Sequence, residues 1–364
     1  MKLYFIIILG LLCNISCRQE KKQTIITGNI PNLPDGMLYL YEDNGTNNID
    51  SVNTKNGIFK FTYIWKKGGE PVYLGINHVD AKGIFRYIGF PTQAQYKGAP
   101  LNQSRFLSDP AIIINGEIFD NTPKGFSEKT RLVDLKSPVI AGQQTEALYH
   151  IDEDLFENIN SKTFQIVKEK LVKYPFSYHL LYKISDNKNS FSPQQIDQFL
   201  ELFKGEITES ESYKKLSAYN KKRYTEKNSS LPFLENADGG KSAVLDSKYK
   251  KHLVVFWASW CGPCRQEIPL LKKIYKAKKE SIEFISISID ENKNAWQKAL
   301  NEERMDWKQL TITGKDSNYE KIQMHFRLNG AIPYTVLIDN NFKIIKSSVG
   351  LSSEKDLQDF IENK

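Results

Sequence analysis

The rhythm of hydrophobic and polar positions changes twice along this chain. From about residue 24 to residue 138, short β-branched and aromatic runs alternate with turn residues, the texture of strands. Thr24-Ile25-Ile26-Thr27-Gly28-Asn29-Ile30 and Met37-Leu38-Tyr39-Leu40-Tyr41 read as strands on either side of a turn at Pro34-Asp35-Gly36. Lys55-Asn56-Gly57 reads as a hairpin turn leading into residues 58–63, and residues 73–76, 85–89 and 111–114 continue the pattern. Many short strands with little helix suggest a β-sandwich-like domain.

Between residues 143 and 227 the apolar spacing becomes helical. Helices are expected over residues 146–159, 164–173, 177–184, 192–203 and 210–224, with Ser192-Pro193 supplying a cap and a first-turn proline. The segment reads as a helical spacer packed on one or both neighbours, with a hinge at Asn228-Ser229-Ser230. From residue 231 to 364 strands and helices alternate. Strands are expected at 253–258, 283–289, 309–313, 333–339 and 343–347. Helices are expected after Cys264 and at 294–303, 318–326 and 353–363. Alternating βαβ units followed by two strands and a helix describe a mixed sheet covered on both faces. The expected fold class is therefore multidomain: an N-terminal all-β domain, a helical middle segment and a C-terminal α/β domain.

Residues 1–16 stand apart. Lys2 precedes an apolar run of ten, residues 3–12, too short to span a bilayer comfortably. Ser16-Cys17-Arg18 after such a run resembles a bacterial lipoprotein signal with Cys17 as the lipidated residue, although Asn14 stands where leucine is usual. An ordinary signal peptide or an uncleaved anchor would show the same run. On the lipoprotein reading the chain sits in the cell envelope, on the periplasmic side, held to the bilayer by lipid.

Composition narrows the remaining choices. A net charge of +7 is small against 50 basic and 43 acidic residues, so no nucleic-acid partner is expected. Lys272-Lys273, Lys276, Lys278-Lys279 and Lys221-Lys222-Arg223 read as solvated helix faces. His78, Asp80 and Arg86 read as isolated surface or strand-edge groups, and His150 and His179 as structural histidines. No set of residues at metal-ligand spacing appears, so no metal is expected.

The chemistry is concentrated at Trp260-Cys261-Gly262-Pro263-Cys264, directly after the apolar run 252–258. A strand that delivers a CxxC to a helix N-terminus suits reversible thiol–disulfide chemistry. At that position unpaired N–H groups and the helix dipole favour a thiolate, so Cys261 is the expected nucleophile. Cys264, one turn in, is expected to be more buried and to resolve the mixed disulfide. A zinc half-site would need two further ligands that the chain does not offer. Of the four cysteines, Cys13 and Cys17 lie in the export segment, so the only pair left is the CxxC. No cofactor is expected beyond that disulfide.

Residues 231–364 resemble the thioredoxin fold, in the TlpA/ResA-like branch of exported bacterial disulfide oxidoreductases. The matching runs are 256–269, the strand 284–290, and Ala331-Ile332-Pro333-Tyr334-Thr335-Val336-Leu337-Ile338-Asp339. Residues 24–138 resemble the β domain of unknown function that often precedes such modules, through Gly28-Asn29-Ile30, Asp35-Gly36, Asp50-Ser51 and Asn56-Gly57-Ile58-Phe59.

The resemblance implies that Cys261 attacks and Cys264 resolves. It implies that Pro333 is a cis-proline, with Ile332 presenting backbone groups to an extended substrate. Pro269 matches the proline that kinks the active-site helix, and Trp260 is expected to cover the disulfide. Two departures stand out. Val255 occupies the place of the buried acid of thioredoxin, which leaves Glu267, one turn beyond Cys264, to take the thiol proton. A solvated surface Glu is the alternative. Tyr334 replaces a smaller residue after Pro333 and is expected to narrow or reshape the groove.

The expected activity is reduction of protein disulfides in the envelope, with a membrane electron donor restoring the dithiol. Two alternatives stay open. One is a binding lipoprotein whose β domain carries the main role. The other is a thiol peroxidase, which is disfavoured because Val254 and Ala258 stand where its proline and threonine would be.

Overall fold

The structure is a computed structural model that describes residues 22–43, 47–66, 69–226, 230–351 and 353–362. The signal and lipidation readings at residues 1–17, and the hinge reading at 228–229, lie outside the described residues. The chain divides into two compact units, one ending at Glu153 and one starting at Asp154.

The first unit contains β1 (Gln23–Asn29), β2 (Gly36–Glu42), β3 (Asn47–Thr54), β4 (Ile58–Ile64), β5 (Tyr73–Asp80), β6 (Phe85–Tyr96), β7 (Ala99–Gln103), β8 (Phe106–Leu107), β9 (Ala111–Asn115), β10 (Ile118–Asp120), β11 (Thr130–Leu135) and the short helix α1 (Gln143–Leu148). A three-stranded sheet runs β4-β1-β9, and an eight-stranded sheet follows the path β10-β11-β6-β5-β2-β3 with β7 and β8 paired alongside. Alternate residues of each strand face one core. Ile26, Phe59, Phe61, Ile112 and Ile114 enter it from the small sheet, and Leu38, Leu40, Leu74, Ile76, Ile88 and Phe90 from the large one.

Three expectations for this unit need correction. The turn at residues 55–57 is closed by a single antiparallel bridge between Lys55 and Ile58, but no hairpin ladder follows, because β3 pairs with β2 and β4 pairs with β1, so the turn carries the chain from one sheet to the other. Gly57 is required there: its φ is +73°, and a Cβ would fall 1.8 Å from the Ile30 carbonyl oxygen. The single helix expected over residues 146–159 is instead α1 followed by a separate 3-10 turn, Glu153–Phe156. Finally, His78, Asp80 and Arg86 are not isolated surface groups. His78 is fully buried, and Arg86 donates to Asp80 at 2.8 Å with both side chains largely enclosed. Burial, seconded by the Arg86 charge, lowers the His78 pKa to about 4.

The second unit begins with α2 (Ser161–Lys173), α3 (Tyr178–Asp186), α4 (Pro193–Leu202) and α5 (Glu211–Glu226). Their starts follow from local chemistry. Asn160 caps α2, Ser177 caps α3, and Ser192 forms a capping box with Gln195 ahead of Pro193. There follow β12 (Phe233–Asn236), β13 (Lys241–Ala243), β14 (Lys251–Trp257), α6 (Gly262–Lys278), β15 (Glu283–Ser288), α7 (Lys293–Glu303), β16 (Lys308–Thr311), α8 (Tyr319–Phe326), β17 (Tyr334–Asp339), β18 (Ile344–Val349) and α9 (Glu354–Glu362).

The sheet order is β13-β12-β16-β15-β14-β17-β18. Central β14 is parallel to β15 and antiparallel to β17. Because side chains alternate, Val254 and Phe256 pack with Ile322 and Phe326 of α8, whereas Leu253 and Val255 pack with α6 and α9. This two-sided burial is why β14 is apolar from Leu253 to Trp257. It also explains Val255: in place of an acid, the position holds a core residue packed with Leu271 and Ile274.

Candidate active site

The strand β14 ends at Trp257, and the next four residues turn into α6. Asp290, just beyond β15, holds that turn. Its carboxylate accepts from the Ser259 N–H at 2.8 Å, the Ser259 hydroxyl at 2.6 Å and the Ser288 hydroxyl at 2.7 Å. Sequence reasoning did not single out Asp290, although an acid that ends a buried strand is a visible signal.

Cys261 is the N-cap of α6, and its sulfur accepts from the Cys264 N–H at 3.2 Å. Cys261 and Cys264 form a disulfide. They are 5% and 2% exposed, within an apolar cluster of Trp257, Ala258, Ile268, Trp296 and Ala299. Arg265, the next residue, clamps α6 to α7 by pairing with Glu302 and Glu303, each at 2.7 Å. Pro269 lies inside α6, as expected.

Trp260, directly before Cys261, is 69% exposed. The large buried side chains packed with the cysteines are Trp257 and Trp296. Ile332–Pro333 is a cis peptide, and the Pro333 carbonyl accepts from Gly350 N–H at 3.0 Å. The Ile332 N–H and C=O have no partner among the described residues. Tyr334 does not shape the groove. It is buried against Phe256, and its hydroxyl donates to the Phe326 carbonyl at 3.0 Å, because strand alternation turns it inward.

Glu267 lies on the inner side of α6 and is 9% exposed. One of its oxygens accepts the Leu351 N–H, and no ion pair to it occurs among the described residues. Desolvation raises its pKa, opposed by that single hydrogen bond. The segment Gly350–Leu351 thus ties both the Pro333 carbonyl and the Glu267 carboxylate to the end of β18.

Among the described residues no group of His, Cys, Asp or Glu could hold a metal, and no helix is long and apolar enough to cross a membrane. The N-terminal unit has an open cleft of about 620 Å³, lined in part by Thr92, Gln93, Ile140, Glu146 and Tyr149. No redox-active pair lies in it.

Residues 249–344 match a family described as thioredoxin-like, and residues 24–104 match a domain of unknown function. The thiol–disulfide oxidoreductase ResA of Bacillus thuringiensis is 26% identical over 126 residues, which is 34% of this chain and 69% of the relative. The thioredoxin-like protein YneN of Bacillus subtilis is 40% identical over 55 residues, 15% of this chain and 32% of the relative. Among solved structures, the thioredoxin domain of a thiol–disulfide oxidoreductase from Bacteroides vulgatus is 27% identical, with a TM-score of 0.32, covering 37% of this chain and 94% of that one. With a CxxC at a helix N-terminus, a cis-proline before β17 and a thioredoxin-like match over residues 249–344, the C-terminal module is TlpA/ResA-like, a thioredoxin-fold thiol–disulfide oxidoreductase.

Proposed function

We propose that this oxidoreductase runs in the reducing direction on protein disulfides, with Cys261 as nucleophile. The observation that carries the reading is Cys261 at the N-cap of α6, its sulfur already accepting a backbone N–H. In the dithiol form the same donor and the helix dipole stabilise a Cys261 thiolate. That thiolate attacks one sulfur of the substrate disulfide. A mixed disulfide forms, and the first substrate thiolate leaves and takes a proton. Cys264 then gives its proton to the Glu267 carboxylate and attacks the Cys261 sulfur. The second substrate thiolate leaves, and the Cys261–Cys264 bond closes. Two electrons pass from the protein dithiol to the substrate.

Glu267 suits the proton step because burial has lifted its pKa towards that of a thiol, in the place where Val255 offers no acid. The unengaged backbone groups of Ile332, with exposed Trp260 and the Cys pair, offer an extended polypeptide a strand-like seat. The Gly262-Pro263 dipeptide between the cysteines supports the reducing direction. A membrane electron donor would restore the dithiol, and a lipid at Cys17 would hold the chain in the envelope, on the periplasmic side. Support for those two points is the sequence of residues 1–18.

The test is insulin reduction with a small dithiol as electron source. The unmodified chain should accelerate precipitation of the insulin B chain, and Cys261→Ser should not. Equal rates for the two would contradict the assignment, and a chain that only oxidises reduced peptides would reverse the direction.

A further inference from the structure

The peptide that seats the substrate has a support outside the thioredoxin module. The chain leaves α8 at Phe326, buries Leu328, and reaches Ile332–Pro333 four residues later. Among the described residues, no backbone–backbone hydrogen bond holds residues 329–332. Their polar anchors come from the 3-10 turn Lys188–Ser190 between α3 and α4. The Asn189 amide donates to the Leu328 carbonyl at 2.8 Å. The Asn189 backbone N–H donates to the Asn329 side chain at 3.1 Å, and that side chain donates to the Ser190 hydroxyl at 2.7 Å.

The turn is itself held firmly. Asn189 is buried and accepts the Tyr219 hydroxyl at 3.0 Å. Arg223 donates to the Lys188 carbonyl at 3.0 Å and to the Phe191 carbonyl at 2.7 Å. The Lys188 ammonium lies over the Tyr219 ring at 4.8 Å. Lys222 pairs with Glu320 of α8 beside it. So the run Lys221-Lys222-Arg223 is not simply a solvated face: Arg223 is turned inward to fix the turn.

We propose that Asn189 and Asn329 are positioning residues for substrate binding, so that the helical segment sets the pose of the Ile332 peptide. The physical ground is that a loop with no hydrogen bonds of its own samples several poses unless something outside it selects one. Only some of those poses would align the Ile332 N–H and C=O with a substrate strand. The inference rests on the proposed seating of a protein substrate at Ile332.

The experiment compares the unmodified chain with Asn329→Ala and Asn189→Ala on two substrates. Insulin needs the peptide seat, whereas dithiobis(nitrobenzoate), a small disulfide, needs only the thiols. Losing these bonds should raise the KM for insulin about fivefold with kcat little changed, and leave turnover of the small disulfide unaltered. Hydrogen exchange across residues 328–332 should speed up in both variants, a readout that needs no substrate. Asn329 is only partly buried, so its variant should fold even where Asn189→Ala is destabilised. An unchanged insulin KM with unchanged exchange would overturn the proposal. So would an equal loss on both substrates alongside a lowered melting temperature, which would make the bonds merely structural. Insulin turnover by the unmodified chain tests the substrate seat separately, and exchange in the loop tests the brace separately.

Discussion

Glu267 is a carboxylate held inside by one backbone N–H and no cation among the described residues, and that environment makes it testable. Below the ordinary Glu value of 4.5, folded and unfolded chains both carry the neutral acid. As pH rises through the higher folded value, only the folded state bears a desolvated charge, so the carboxyl's contribution to stability is lost. Glu267→Gln keeps an oxygen for the Leu351 N–H and removes the charge. Its urea midpoint should match the unmodified chain near about pH 4 and exceed it near about pH 8. Its pH–rate profile should also lose the limb that reports the carboxylate. Coincident profiles and midpoints would return Glu267 to a passive role. The cysteines, Pro333 and Val255 were legible because one short segment fixes each. The partner of Glu267 was not, since Leu351 lies 84 residues further on. The inward turn of Tyr334 needed the register of β17 against β14.

The elements that carry the site are held by single residues at their ends. Asp290 is the acceptor for three donors around the β14–α6 turn. Asp290→Ala leaves buried donors without an acceptor, at a cost of about 2 kcal/mol. The urea midpoint should fall with the slope unchanged, and disulfide exchange should slow because α6 loses its fixed start. A midpoint unchanged from the unmodified chain would show that water replaces the carboxylate. Asn160→Ala, at the start of α2, should cost about 1 kcal/mol in the same assay. Helices with a sequence cap, such as α4 behind Ser192-Pro193, were legible. Strands such as β3, β12 and β13 were not: β3 is mostly polar and solvent-facing, and β12 and β13 have only four and three residues. Short or polar strands carry little periodicity, and pairing alone defines them.

The β, helical and α/β segments fall into two compact units. The helical segment was expected to pack on one or both neighbours. Its α1 belongs to the first unit, and α2 to α5 to the second. No sequence pattern marks that division, because the bonds between Asn189 and Asn329 join residues 140 apart. Calorimetry should therefore show two unfolding steps. Reducing the Cys261–Cys264 bond should shift only one of them, the step belonging to residues 154–364. A single step, or a shift in both, would contradict independent units.

The central claim is that Cys261 attacks and Cys264 resolves. The direct measurement is mass spectrometry of Cys264→Ser incubated with an oxidised protein substrate. The resolving thiol being absent, the chain should accumulate as a covalent adduct through Cys261, released by a small dithiol. Cys261→Ser should accumulate none. An adduct on Cys264 in the Cys261→Ser chain, with none on Cys261 in the Cys264→Ser chain, would reverse the two roles and contradict the account.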